Sequence, residues 1–315
     1  MKSIKELYRI GTGPSSSHTM GPRKAAEMFV TRHPDAAKFK VTLYGSLAAT
    51  GKGHMTDVAI IDTLEPTAPV EIIWQPKVFL PFHPNGMTFA AFDTDDKLIE
   101  NWTVYSIGGG ALAENSDTPS IESRDVYGMN SMTEILEWCE RSGKGYWEYV
   151  KECEDSDIWD YLNEVWKTMI DSIRRGLEEE GVLPGPLNLR RKASTYYIRA
   201  TGYKQSLQSR GLVFAYALAV SEENASGGKI VTAPTCGSCG VMPAVLYHLY
   251  KSRDFSDIRI LRALATAGLV GNIVKFNASI SGAEVGCQGE VGVACAMASA
   301  AANQLFGGSP AQIEY

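Results

Sequence analysis

The chain has 315 residues, 44% of them hydrophobic and 21% charged, and a formal net charge of −6. That is an ordinary globular composition, with apolar side chains enough for two domains, and its acidic balance excludes a general binder of nucleic acid or anionic membrane, which needs a basic face. No apolar run reaches the ~18 residues of a spanning helix.

The N-terminal stretch "MKSIKELYRI" has charges scattered through it and reads as an amphipathic start, not a signal peptide. A cytoplasmic location is expected. Six cysteines in a chain of this kind suggest thiols, metal ligands or catalysis rather than a disulfide framework.

The first marked stretch is "GTGPSSSHTMGP", residues 11–22. Pro22 suits the first position of a helix over 22–31. Ser15, Ser16, Ser17 and the backbone N–H groups before that helix can cradle an anion, and His18 can donate a hydrogen bond or move a proton. A Ser-rich turn that merely caps the helix is the alternative.

Residues 41–46 alternate as a strand. It runs into "GSLAATGKGH", where Lys52 and His54 sit on a loop punctuated by Gly51 and Gly53, and a helix over 54–64 follows. The glycines let backbone approach a ligand, and His54 can act as a general base at neutral pH; a surface histidine is the alternative. Residues 70–74 form another short strand. In 78–92, Asn85-Gly86 predicts a hairpin between two strands. Residues 102–110, "WTVYSIGGG", are a strand ending in three glycines. Gly108 and Gly109 offer either an anion-binding turn or simply a tight one, and no dinucleotide fingerprint is present.

These strands and helices give a mixed α/β domain over 1–150. Helical patterns rich in acid and Trp fill 131–180. Residues 181–194, with Arg190, Arg191 and Lys192, have the chemistry of an exposed linker, so 151–194 reads as a helical connection. Helical runs at 203–222, 240–252, 257–275 and 283–306 then predict an all-α domain over 195–315, tightly packed because its helices are rich in Ala and Gly. The fold class is therefore α+β, a mixed α/β N-terminal domain followed by an all-α C-terminal one.

Two motifs lie in this second half. Cys236 and Cys239 form a CxxC at a helix start, where the dipole lowers a thiol pKa, although no second pair completes a zinc site. In "NASISGAEVGCQGEVGVACAM", Cys287 stands among glycines. Asn277, Ser281, Glu284, Gln288 and Glu290 interrupt an otherwise apolar segment, which points to a site because buried polar groups need partners.

Together "GPSSSHTMGP", "GSLAATGKGH", "TAPTCGSCGVMPAV" and "NASISGAEVGCQGEVG" resemble, in order and over nearly the whole chain, the iron–sulfur-dependent L-serine dehydratases. The resemblance implies an N-terminal β domain and a C-terminal α domain that meet at the active site. It further implies an L-serine ammonia-lyase that makes pyruvate and ammonia, with an open iron of a [4Fe–4S] cluster as Lewis acid and a histidine base. By that resemblance Cys287 is a cluster ligand, His54 is the base, and Ser15, Ser16, Ser17 and His18 contact L-serine. Lys52, Gly108, Gly109, Asn277 and Ser281 join them as substrate-binding candidates.

The family's other two ligand cysteines lie in TCDP and PCIERN motifs, and neither occurs before Tyr315. Ser309 and Pro310 open a helix that stops about a turn later. A truncated chain is therefore expected, with two further cysteine ligands beyond residue 315, and one that neither holds a normal cluster nor turns over serine. Roles in amino acid catabolism and gluconeogenesis, and a homodimer binding neither nucleic acid nor membrane, complete the expectation. Two other readings remain open: a pyridoxal-phosphate dehydratase using Lys229, and a non-catalytic metal or redox sensor using Cys236, Cys239, Cys287 and Cys295.

Overall fold

In strand β2 (Lys38–Tyr44) the side chains of Phe39, Val41 and Leu43 are buried and the residues between them are not, the period-two pattern of a sheet with one covered face. The computed structural model describes residues 1–114, 124–280 and 282–315. The chain divides into two units, Thr12–Ser123 and a second made of Met1–Gly11 with Arg124–Tyr315. The first unit is mixed α/β and the second is mainly helical, as the α+β class requires.

The unit Thr12–Ser123 is built on a five-stranded sheet. Strands β3 (Val70–Gln75), β4 (Gly86–Phe92), β5 (Leu98–Ser106) and β6 (Leu112–Ala113) join β2 in the order β3-β2-β4-β5-β6. Only β2 and β3 are parallel, in register Phe39 with Val70 through Tyr44 with Gln75, and the other pairs are antiparallel. A parallel pair needs a crossover, which α2 (Gly45–Thr50) and α3 (Thr56–Leu64) provide. With α1 (Gly21–Arg32) they supply Ala25, Ala26, Phe29, Leu47, Ile60 and Leu64 to a core shared with Phe39, Val41, Leu43, Phe89, Trp102 and Val104. On the other face the row Thr42, Thr88, Thr103 runs across three strands, with a 2.9 Å hydrogen bond between the last two hydroxyls.

The hairpin predicted at Asn85-Gly86 does not form. Residues 78–85 carry no strand, because Pro81 and Pro84 remove ladder donors, and β4 pairs with β2 and β5 instead. Asn85 is buried and ties the strand start to β5, its Nδ2 donating to the Ser106 carbonyl at 3.2 Å.

The second unit contains α4 (Met132–Ser142), α5 (Tyr146–Cys153), α6 (Ile158–Glu178), α7 (Ala193–Thr201), α8 (Gln205–Ala225), α9 (Val241–Arg253), α10 (Asp257–Asn277), α11 (Gly282–Leu305) and the short α12 (Pro310–Glu314). It also holds the three-residue strand β7 (Lys229–Val231), paired with β1 (Ile10–Thr12). The small residues do what their pattern predicts. A Cβ added at Gly176 of α6 would stand 2.2 Å from the Ala219 carbonyl oxygen of α8, so those two backbones touch. Glycines 268 and 271 of α10 make room for Ile4, Leu7 and Tyr8, and the Tyr8 hydroxyl donates to the Leu264 carbonyl at 3.0 Å.

The amphipathic N-terminus is thus part of the helical core. Buried Glu154 anchors it by accepting from the Ser3 hydroxyl, the Ile4 amide and the Tyr127 hydroxyl at 2.7–2.8 Å. The basic stretch at 190–192 is not wholly an exposed linker: Arg191 folds inward onto the buried Glu223 at 3.1 Å, because a carboxylate there needs a charged partner.

Candidate active site

The serine loop and the glycine loop converge within the unit Thr12–Ser123 on two imidazoles. After β1, residues Ser16–Met20 form one turn of π-helix that runs directly into α1. Ser15 caps it, its hydroxyl accepting from the His18 amide at 3.1 Å. His54 ends a short 3-10 turn, Gly51–His54, that continues α2. Met55 follows in the left-handed region, with φ 55° and ψ 33°, and reverses the chain into α3. The ring centroids of His18 and His54 are 4.7 Å apart.

The two histidines differ in environment. His18 is buried, with Nδ1 3.0 Å from the Ser17 hydroxyl and Nε2 3.1 Å from the Ser46 hydroxyl. Burial, and then the charge of His54, push its pKa down to about 4, with Ser46 opposing weakly. His18 is therefore neutral at pH 7. A neutral imidazole donates at one nitrogen and accepts at the other, so it relays hydroxyl orientation along Ser15, Ser17, His18 and Ser46. His54 is half-buried, and its Nδ1 is 3.0 Å from the Thr50 carbonyl oxygen. A carbonyl can only accept, so Nδ1 carries the hydrogen and Nε2 keeps its lone pair.

Of the other residues expected here, Ser16 is buried in the same turn. The Lys52 ammonium lies 5.6 Å over the ring of Trp74. Gly108 and Gly109 belong to a tight turn between β5 and β6 in which three successive glycines have positive φ, closed by the Ala111 amide to the Gly108 carbonyl at 2.9 Å. Sequence reading missed Ser46, Thr19 and Thr56. All three stand inside or beside the quoted motifs, but a hydroxyl that serves a histidine across 28 or more residues leaves no local periodicity.

In the helical unit, Asn277 is the last residue of α10, and its Nδ2 donates to the carbonyls of Asn130 at 2.7 Å and Ile273 at 3.0 Å. Ser281, and the side chain of Glu284, lie outside the described residues. Helix α11 is broken at Gly286, whose φ 70° and ψ 173° belong to a region open essentially to glycine alone. The helix resumes at Cys287, which is exposed.

The CxxC differs from expectation. Cys236 and Cys239 are buried, 1% exposed each, and burial raises both thiols, that of Cys239 to about 12, with the Glu290 carboxylate adding to the effect. Desolvation outweighs the helix start, so these are packed thiols and not activated ones. Their loop seats Glu290. The Thr235 hydroxyl donates to that carboxylate, and a Cβ at Gly237 would lie 2.7 Å from its Oε2.

Among the described residues no three His, Cys, Asp or Glu side chains group to hold a metal. An iron–sulfur cluster takes several thiolates. Cys295 is exposed but stands eight residues after Cys287, about 12 Å along the helix. Cys287 and Cys295 are both exposed but stand apart along the helix, so the described residues do not offer a complete ligand set.

Comparison with known proteins shows the family. The family model for the serine dehydratase alpha chain matches residues 53–315, and that for the beta chain matches residues 3–75. The chain is similar to the L-serine dehydratase TdcG of Escherichia coli (strain K12), 38% identical over 99% of this chain and 80% of that protein. The L-serine dehydratase of Haemophilus influenzae is also 38% identical, with the same coverage. That of Streptomyces coelicolor is 36% identical over 99% of this chain and 80% of its own length.

Proposed function

The chain belongs to the serine dehydratase family, and on that premise we propose that it acts as an L-serine ammonia-lyase with His54 as the base. The observation that carries the role of His54 is its Nδ1 hydrogen bond to the Thr50 carbonyl, which leaves Nε2 as the accepting atom beside a neutral neighbour.

Nε2 takes the proton from Cα of L-serine. The electron pair left on carbon forms the Cα–Cβ double bond as the Cβ–O bond breaks, and the oxygen departs with its hydrogen. The resulting aminoacrylate tautomerises to an imine, which water hydrolyses to pyruvate and ammonia. The Thr50 carbonyl, held on Nδ1–H, stabilises the imidazolium that forms. Because His18 is neutral at pH 7, it adds no positive charge to oppose that proton transfer.

The carboxylate of L-serine needs donors that fix Cα–H toward the base. Ser15 and Ser17 supply hydroxyl hydrogens, and His18 orients them through its bonds to Ser17 and Ser46. Ser16, Lys52, Gly108, Gly109, Asn277 and Ser281 remain the further substrate contacts of this reading. Departure of hydroxide is the chemistry that a Lewis-acidic [4Fe–4S] cluster would supply when bound, and in this reading the exposed Cys287 would give it one thiolate.

The test is His54→Ala in the full-length protein, prepared anaerobically. Turnover of L-serine falls by about 10²–10⁴-fold, the usual weight of a positioned base, while iron content and visible absorbance match wild type. Turnover at the wild-type rate would end the assignment of His54.

A further inference from the structure

Each histidine of the pair is followed closely by a threonine, and each threonine holds the main chain of the other histidine. Thr19 Oγ1 donates to the His54 carbonyl at 2.6 Å. Thr56 Oγ1 donates to the His18 carbonyl at 2.5 Å. Both threonines are buried, 2% and 0% exposed. The Thr19 hydroxyl also accepts from the Ser15 amide at 3.2 Å, so one oxygen joins the start of the serine loop to the end of the glycine loop. Thirty-five and thirty-eight residues separate the bonded partners, so nothing local enforces the arrangement.

The bonds fall where the chain is least constrained by regular structure. His18 lies in a π-helical turn and His54 at the end of a 3-10 turn. The His54 carbonyl ends its helical turn and needs a partner from outside it, and Pro22, four residues beyond His18, has no N–H to offer the His18 carbonyl. The left-handed Met55 adjoins His54, and such a conformation in a non-glycine residue persists only where its surroundings over-determine it. Among the described residues, the hydrogen bond from Nδ1 to the Thr50 carbonyl holds the His54 ring. The placement of Nε2 therefore depends on the main chain beneath it.

We propose that Thr19 and Thr56 are positioning residues for proton abstraction, a crossed pair of hydroxyl-to-carbonyl bonds that fixes the two histidine loops to each other and so sets where the base stands. This rests on the reading of His54 as the base. A displacement of about 1 Å in a catalytic group can cost about 10²-fold in rate, so Thr19→Val and Thr56→Val, which keep the shape and remove the hydroxyl, are expected to lower kcat about 10–100-fold and KM less than threefold. Thr19→Ser and Thr56→Ser retain the hydroxyl and restore kcat to within a few fold.

A second measurement is independent of turnover. In protein with ¹⁵N-labelled histidine, the valine variants shift the His54 imidazole resonances, and the serine variants return them to wild-type values. Circular dichroism establishes that each variant is folded, and if Thr56→Val is not, Thr19→Val carries the test. His54→Ala is assayed alongside. A variant His54→Ala with full turnover overturns the assignment of the base. An inactive His54→Ala, beside valine variants whose kcat and His54 resonances match wild type, overturns the crossed brace. So does a loss of kcat that the serine variants share.

Discussion

The neutral state of His18 should be visible as a slope of stability against pH. An unfolded chain protonates this imidazole near 6.5, whereas burial and the charge of His54 push it down to about 4 in the fold. The fold favours the neutral form and the unfolded chain takes up the proton first. The stabilisation is therefore fully present above pH 6.5, is lost progressively as pH falls from 6.5 to about 4, and changes no further below that. The full difference corresponds to about 3 kcal/mol, of which about 2 kcal/mol falls between pH 7 and pH 5.

Other groups contribute to the pH dependence of stability, so the measurement is a difference. His18→Gln keeps amide donors and acceptors toward Ser17 and Ser46 but cannot be protonated. Urea unfolding of wild type and variant, followed by circular dichroism at pH 7 and pH 5, should show the wild type losing about 2 kcal/mol more than the variant. Parallel losses would refute the claim that His18 is held neutral, and with it the relay of hydroxyl orientation drawn from Ser15 to Ser46.

Three further expectations concern the helical unit. Gly286→Ala forces a side chain into φ 70°, ψ 173°, a strain of about 1–3 kcal/mol; iron bound by the reconstituted protein should fall while helicity measured by circular dichroism stays, and unchanged iron would detach Cys287 from the cofactor. Gly176→Ala drives a methyl into the Ala219 carbonyl and should lower stability by about 1–3 kcal/mol, read as a drop in the urea midpoint. Iodoacetamide at pH 8 should label the exposed Cys287 and Cys295 and spare the buried Cys236 and Cys239, as peptide mass mapping would report; equal labelling of all four would contradict the packing of the CxxC loop.

Much of the fold was legible because periodicity records burial. The alternation through Val41 and Leu43 and the long helical runs after residue 195 each name a face that must be covered. The predicted hairpin at Asn85-Gly86 failed for a reason equally present in the sequence, since Pro81 and Pro84 cannot serve a ladder, but the Asn-Gly signal is loud and proline's veto acts at a distance of one and four residues. The inward turn of Arg191 was hidden because its cause, the buried Glu223, stands 32 residues away.

The site was legible as a list of chemistry-bearing residues and illegible as a geometry, and the two histidines make the difference concrete. From sequence, His18 and His54 are imidazoles on polar loops, equally able to take a proton. In the fold, one is sealed between two hydroxyls and held neutral, and the other is half-exposed with one nitrogen committed to a carbonyl. That division of labour comes from Ser46, Thr50, Thr19 and Thr56, whose side chains and carbonyls are unremarkable in composition. The CxxC makes the same point in reverse. Its spacing advertises reactive sulfur, yet the loop buries both thiols and lends its hydroxyl to Glu290. Motif spacing reports which groups can react; desolvation and the direction of a hydrogen bond decide which ones do, and both depend on residues that the fold brings together, Ser46 onto His18 across 28 positions and Glu290 onto the CxxC loop across 55.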